Sequence, residues 1–133
     1  MNVTNLKYKD NSFDVILSER VVINVLDKQD QKESFKELNR ILRPNSYLFM
    51  FEAFENALHL LNEARSEFEL EPIKMPVHNR WFKESEFQNN IIGKFEIIDS
   101  IQGQKLPERH LLSSHYFLTR VVHDLLLHLN DGK

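Results

Sequence analysis

At 133 residues and 15.9 kDa, the chain is long enough for one hydrophobic core and too short for two ordinary domains. Hydrophobic residues at 41%, ten Phe among them, imply a packed interior, and a formal charge of −3 lacks the basic footprint of a nucleic-acid binder. Without Cys there are no disulfides, thiolate ligands or Cys nucleophile, which suits a reducing cytoplasm, and no apolar run has signal-peptide or membrane-spanning length.

Residues 1–12 are polar and close on a turn at Lys9-Asp10-Asn11-Ser12. Phe13-Asp14-Val15-Ile16-Leu17-Ser18 then reads as a buried parallel strand. Asp27 as N-cap, with Phe35, Leu38, Ile41 and Leu42 at helical spacing, predicts a helix over 28–43. Pro44-Asn45-Ser46 ends it, since Pro cannot continue a helix and Asn tolerates a left-handed backbone. The aromatic run over 47–54 is a second buried strand, so strand, helix and strand make a parallel crossover. Its two strand ends, at Ser18-Glu19 and Glu52 to Phe54, open on the same side.

Ala57, Leu58, Leu61, Ala64 and Phe68 predict an amphipathic helix over 55–68. Pro72 and Pro76 then frame the longest irregular segment, 71–82, which carries the only Trp. A short helix over 84–92, a strand over 95–101, a loop over 102–114, a last strand over 115–120 and a closing helix through Val122, Leu125, Leu126 and Leu129 complete the chain. The alternation indicates an α/β fold in a single domain spanning 1–133. Only three Gly occur, and no two lie close enough for a turn that would bring backbone amides against a phosphate or a nucleotide.

Residues Asn5 to Ile16 resemble the segment leading into the fourth strand of class I S-adenosylmethionine-dependent methyltransferases. Leu38-Asn39-Arg40-Ile41-Leu42-Arg43-Pro44 resembles the helix after it, with its turn into the fifth strand, and the spacing between the two also matches. The resemblance covers nearly the whole chain but only the second half of that fold. It implies a partial Rossmann-like sheet of parallel strands with a last antiparallel strand and helices on both faces. The family's first strand with its glycine-rich cofactor turn, and the acidic end of its second strand, have no counterpart and would lie before Met1. The chain is then the C-terminal part of a methyltransferase-like domain, a truncated piece unable to hold S-adenosylmethionine alone. Strand 13–18 keeps a bare edge that invites aggregation unless something covers it, either a second copy in a homodimer or the missing N-terminal segment.

The resemblance also implies roles. The family's acid near the adenine aligns with Asn2, which keeps hydrogen-bonding capacity without the charge. In sheets of this kind ligands sit at the carboxyl ends of strands, so Ser18, Glu19 and Arg20 flank the cofactor. Glu19 could orient or deprotonate a hydroxyl and Arg20 hold an acidic group of the acceptor, although both also suit a solvated charge pair at a helix entrance. Asn24 projects from the same turn, and Glu52 either faces the pocket or emerges into solvent. His78-Asn79-Arg80-Trp81 is positioned as a substrate lid, with His78 as base and Asn79 beside the acceptor, set against the commoner case of an inert surface His. Trp81 and Phe82 read as anchors of that loop. His110 and His115, like His123 and His128, stand five apart and make no metal set. The charged face Lys32/Glu33/Lys36/Glu37/Arg40 is explained by solvation. The implied reaction is methyl transfer to an oxygen or nitrogen of a small molecule, with no nucleic acid and no membrane. The competing reading is a non-enzymatic remnant or interaction module that pairs through the exposed strand edge.

Overall fold

The computed structural model describes residues 2–88, 93–98, 100–105 and 118–131. The chain divides into two compact units, Met1–Ala53 with Pro76–Ile98, and Phe54–Met75 with Asp99–Lys133.

The first unit is built on the expected crossover. Strand β1 (Phe13–Glu19) and strand β2 (Leu42–Phe51) pair in parallel, with Val15 beside Tyr47, Leu17 beside Phe49 and Glu19 beside Phe51. Helix α1 (Lys28–Ile41) connects them, capped by the Asp27 carboxylate, which accepts from the amides of Gln29 at 2.7 Å and Asp30 at 3.0 Å. The helix stops before Pro44, whose predecessor is excluded from helical geometry. The chain then resumes sheet pairing at once, five residues earlier than the predicted 47–54. Between the first two pairings, a step from Phe13 to Val15 on β1 faces a step from Leu42 to Tyr47 on β2, so Arg43 to Ser46 bulge out. Asn45 absorbs the bend at φ 60°, in the left-handed region that Asn tolerates.

Phe35, Leu38 and Ile41 of α1 are buried, as their spacing required. Phe35 sits in an aromatic cluster, with ring centroids 6.1 Å from Phe82, 5.7 Å from Phe87 and 6.2 Å from Phe95, each edge-on. Burying each such side chain contributes about 1.5–3 kcal/mol, which makes this cluster the main adhesive of the unit. Its members come from α1 and from three separate points after residue 80, so the cluster ties the irregular segment back to the crossover. The one-turn helix α2 (Glu84–Glu86) begins the predicted 84–92, whose residues 89–92 lie outside the described ones.

The predicted strand 95–101 is corrected. Residues 95–98 are irregular, since their alternation finds no strand to pair with among the described residues and Phe95 turns to Phe35 instead. Only Ser100–Ile101 (β3) is extended, in a hairpin with Gln104–Lys105 (β4) in the second unit. Gln102 at φ 51° and Gly103 at φ 79° both lie in the left-handed region, the signature of a two-residue hairpin turn of the primed kind. That unit also holds helix α3 (Glu55–Ser66) and helix α4 (His123–Asp131). Residues 115–117 of the predicted last strand fall outside the described residues, and its remainder winds into the π-type turn Leu118–Val122. Within the second unit the Arg65 guanidinium, almost wholly buried, donates to Asp124 at 2.6 Å, to the Glu71 carbonyl at 2.8 Å and to the Arg120 carbonyl. Among the described residues no helix is long and apolar enough to cross a membrane.

Solvation does not account for the whole charged face of α1. Glu37 accepts from Arg40 Nε at 2.8 Å and from the Leu6 amide at 2.8 Å, while Arg40 donates onward to the Leu6 carbonyl at 3.0 Å, the Tyr8 carbonyl at 2.8 Å and Asp10 at 2.7 Å. These two side chains fasten residues 6–10 along the helix. The Arg40 hydrogen bond, joined by the Leu6 amide, lowers the Glu37 carboxyl from its ordinary 4.5 to about 2. Stability from this pair is therefore full above about pH 4.5 and is lost as pH falls toward 2. Replacing Glu37 by Gln should cost about 1–2 kcal/mol in urea unfolding at neutral pH and flatten the acid dependence between pH 4.5 and 2.

Candidate functional site at the strand ends

The carboxyl end of β1 is shaped by a reversal at Arg20. Its φ of 51° is an uncommon conformation for a side chain of this size, and its amide still donates to the Phe51 carbonyl at 2.9 Å, so the ladder holds through the bend. The chain then coils into the single 3₁₀ turn Val22–Asn24. Amides at the start of such a turn have no partner within it. Here they converge on Glu52, one residue beyond β2. Its Oε1 accepts from Ser18 Oγ at 2.8 Å, the Val21 amide at 3.0 Å and the Val22 amide at 3.2 Å, and its Oε2 accepts from the Ile23 amide at 3.2 Å.

Three successive amides and a hydroxyl around one carboxylate form an anion-binding concavity that the chain fills with its own acid. This explains why an acid ends an apolar strand. Both Glu52 oxygens accept hydrogen bonds from the chain, and the carboxylate joins the ends of the two strands. Ser18, buried beneath it, donates a hydrogen bond from its hydroxyl to Glu52.

The far side of the turn is held by the proline-framed segment. Asn79, buried, donates from Nδ2 to Asn24 Oδ1 at 2.6 Å, and Asn24 donates from its own Nδ2 to the Arg20 carbonyl. The Arg80 amide donates to the Ile23 carbonyl at 2.7 Å, and the Phe82 amide to the Ala53 carbonyl at 3.0 Å. Gln31, fully buried on α1, bridges the two segments, donating to the Arg80 carbonyl at 2.8 Å and the Val22 carbonyl at 3.2 Å while accepting from Arg80 Nη1 at 2.6 Å. Arg80 also pairs with Glu86 at 3.2 Å, and Lys28 meets Glu86 at 3.0 Å; these two cations hold the Glu86 carboxyl below its usual range, Lys28 most strongly. The predicted lid is thus a fastened strap over the strand ends. Phe82 anchors it at complete burial.

The structure therefore brings together Ser18, Arg20, Asn24, Glu52 and Asn79, five residues named from the sequence. Glu19 ends β1 exposed opposite Phe51, and His78 is exposed at the tip of the strap beside Asn79. Asn2 lies in a local turn, where its Oδ1 accepts from the Thr4 amide at 3.0 Å and the Thr4 hydroxyl at 2.9 Å. Gln31 and Arg80 were not anticipated as members of this network, and helical spacing carries no mark of a buried amide. The Asn79 Oδ1 atom is buried with no partner among the described residues, and so is Trp81 Nε1.

A groove of about 300 Å³ runs beside β1 under the N-terminal segment, lined by Leu6, Tyr8, Phe13, Ile16, Leu38 and Ile41, with Val15, Leu17, Ser18 and Val21 also on its wall. It is hydrocarbon for most of its length. Among the described residues no three His, Cys, Asp or Glu lie together as metal ligands.

Residues 1–50 match the family model described as a methyltransferase domain. That range contains β1, α1 and nearly all of β2, and both segments that carry the resemblance to class I S-adenosylmethionine-dependent methyltransferases. The match supports a resemblance to that class over the first 50 residues, and the parallel pair with its crossover helix is consistent with part of an α/β Rossmann-like sheet. No curated protein and no solved structure matched the chain.

S-adenosylmethionine presents ribose hydroxyls, an ammonium and a carboxylate, each needing a polar partner. The groove beside β1 offers two hydroxyls, of Tyr8 and Ser18, the second already donated to Glu52, and the amides of Val21 to Ile23 are taken by the same carboxylate. Neither this groove nor these amides supplies free partners for the cofactor's polar half.

Removing the charge at Glu52 tests its part in this end of the sheet. Glu52→Gln puts an amide donor among donors, and the expected loss is about 2–3 kcal/mol in urea unfolding. Hydrogen exchange at the amides of Val21, Val22 and Ile23 should accelerate in the same variant while exchange in α1 changes less.

Proposed function

We propose that this chain is the acceptor-side portion of an S-adenosylmethionine-dependent methyltransferase that acts on an oxygen or nitrogen of a small molecule in the cytoplasm. The observation that carries this is the rigid, polar strand-end assembly of Arg20, Asn24 and Asn79, standing at the carboxyl end of a parallel pair that matches the methyltransferase domain. Ligands of open α/β sheets bind at this end. Arg20 and Glu19 supply exposed charges of opposite sign for a polar acceptor, and Asn24 and Asn79 keep the backbone beneath them in place. His78, at the exposed tip of the strap, is the base for an acceptor hydroxyl. The sulfonium methyl is already activated in this chemistry, so the protein's task is alignment and exclusion of water. By the family resemblance, Ser18 and Asn2 would lie on the cofactor side.

The chain by itself does not hold the cofactor. Its few glycines, and the occupation of the strand-end amides by Glu52, support this reading. Calorimetric titration of the purified chain with S-adenosylmethionine should give no saturable heat at micromolar concentrations. Micromolar affinity, about −8 kcal/mol, would sink the idea that the cradle lies elsewhere. In an assembly that turns over, His78→Ala should lower kcat about 100-fold with the cofactor KM unchanged, and an unaltered kcat would remove His78 from its role.

The second reading is a module that works by association. The outer edge of β1 has no partner strand among the described residues, and such edges template pairing with another chain.

A further inference from the structure

Opposite residues of a strand pair share a face, and alternate residues along each strand point the same way. Val15 and Leu17 on β1 therefore lie on one surface with Tyr47, Phe49 and Phe51 on β2. These five are 53, 66, 52, 45 and 62% exposed, whereas their neighbours Ile16, Ser18, Leu48 and Met50 are buried or half-buried on the other face. Single exposed apolar residues are ordinary, but five large ones in register on a flat sheet are not.

We propose that this sheet face is the interface of a symmetric dimer, the face of one copy packed on the same face of a second. Three aromatic side chains of about 150–250 Å² each, roughly half uncovered, leave with Val15 and Leu17 on the order of 500 Å² of apolar surface per copy. Two such faces together come to about 1,000 Å², the least that a biological interface buries and short of the roughly 1,200–2,000 Å² of standard ones. A single copy's patch already reaches the upper range found on monomers. Its composition, aromatic and without Lys across five positions, matches the core of an interface more than its rim. An isologous contact needs a surface complementary to itself, and a sheet face that is apolar except for Glu19 at its carboxyl end meets that condition by stacking at about 10 Å, as the inner faces of sandwiches do. Pairing through the β1 edge would leave these rings in water. The interface stands whether or not the chain takes part in methyl transfer.

Sedimentation equilibrium over a concentration range from micromolar to hundreds of micromolar tests it. The expected result is a dimer whose dissociation constant rises at least tenfold in Leu17→Glu and in Phe49→Glu, with circular dichroism unchanged. Val77→Glu, at a position 96% exposed on the strap, should leave the dimer intact. The milder Leu17→Ser and Phe49→Ser serve if a Glu variant fails to fold. A chain that remains monomeric throughout would overturn the proposal, whatever else covers the face. So would a dimer indifferent to both face variants, or open-ended association, which a face used once per copy cannot produce.

Discussion

Remove the Glu52 carboxylate, and the amides of Val21, Val22 and Ile23 and the Ser18 hydroxyl lose the one acceptor on which they meet. An unpartnered amide away from water costs about as much as a hydrogen bond, so the turn that follows β1 exists in this form because a negative charge stands at the end of β2. Everything at the strand ends is hung from that turn: Arg20 in its left-handed bend, Asn24 bonded back to it, and through Asn24 and Ile23 the strap that carries Asn79 and Arg80. A carboxylate that in isolation resembles a ligand for an acceptor is here the internal counterpart of a bound anion.

Two polar fasteners divide the labour of the first unit. Glu37 and Arg40 attach the N-terminal segment along α1, and Gln31 with Arg80 attaches the strap across its other end. Between them the aromatic cluster around Phe35 supplies the apolar burial. The fully buried Gln31 is tolerable only because its amide is bonded on both oxygen and nitrogen. Among the described residues, the outcome is a sheet covered on one face and at one end, and open on its other face and along the outer edge of β1.

That asymmetry bears on function. A methyl-transfer site needs a cofactor cradle and an acceptor side, and on the proposed function the polar groups at the strand ends would serve the second. The occupied amide nest and the hydrocarbon groove beside β1 speak against the first. An apolar face of five large residues is the surface through which such a portion would associate.

The amino-acid order alone determined the crossover. Period-two and period-3.6 patterns, the Asp27 cap and Pro44 are local signals, and they placed β1, α1 and β2 and their parallel relation to within a few residues. The early start of β2 was hidden because a bulge at Arg43 to Ser46 depends on the partner strand, and the loss of the strand over 95–98 depends on the lack of a pairing strand among the described residues. Five site residues were legible as types and positions, but what Ser18, Asn24, Glu52 and Asn79 do was not. A carboxylate, an amide or a hydroxyl has the same chemistry whether it awaits a ligand or satisfies its own backbone. Only the tertiary structure, by bringing residue 52 against residues 18–23 and residue 79 against residue 24, decides which donors and acceptors are already paired.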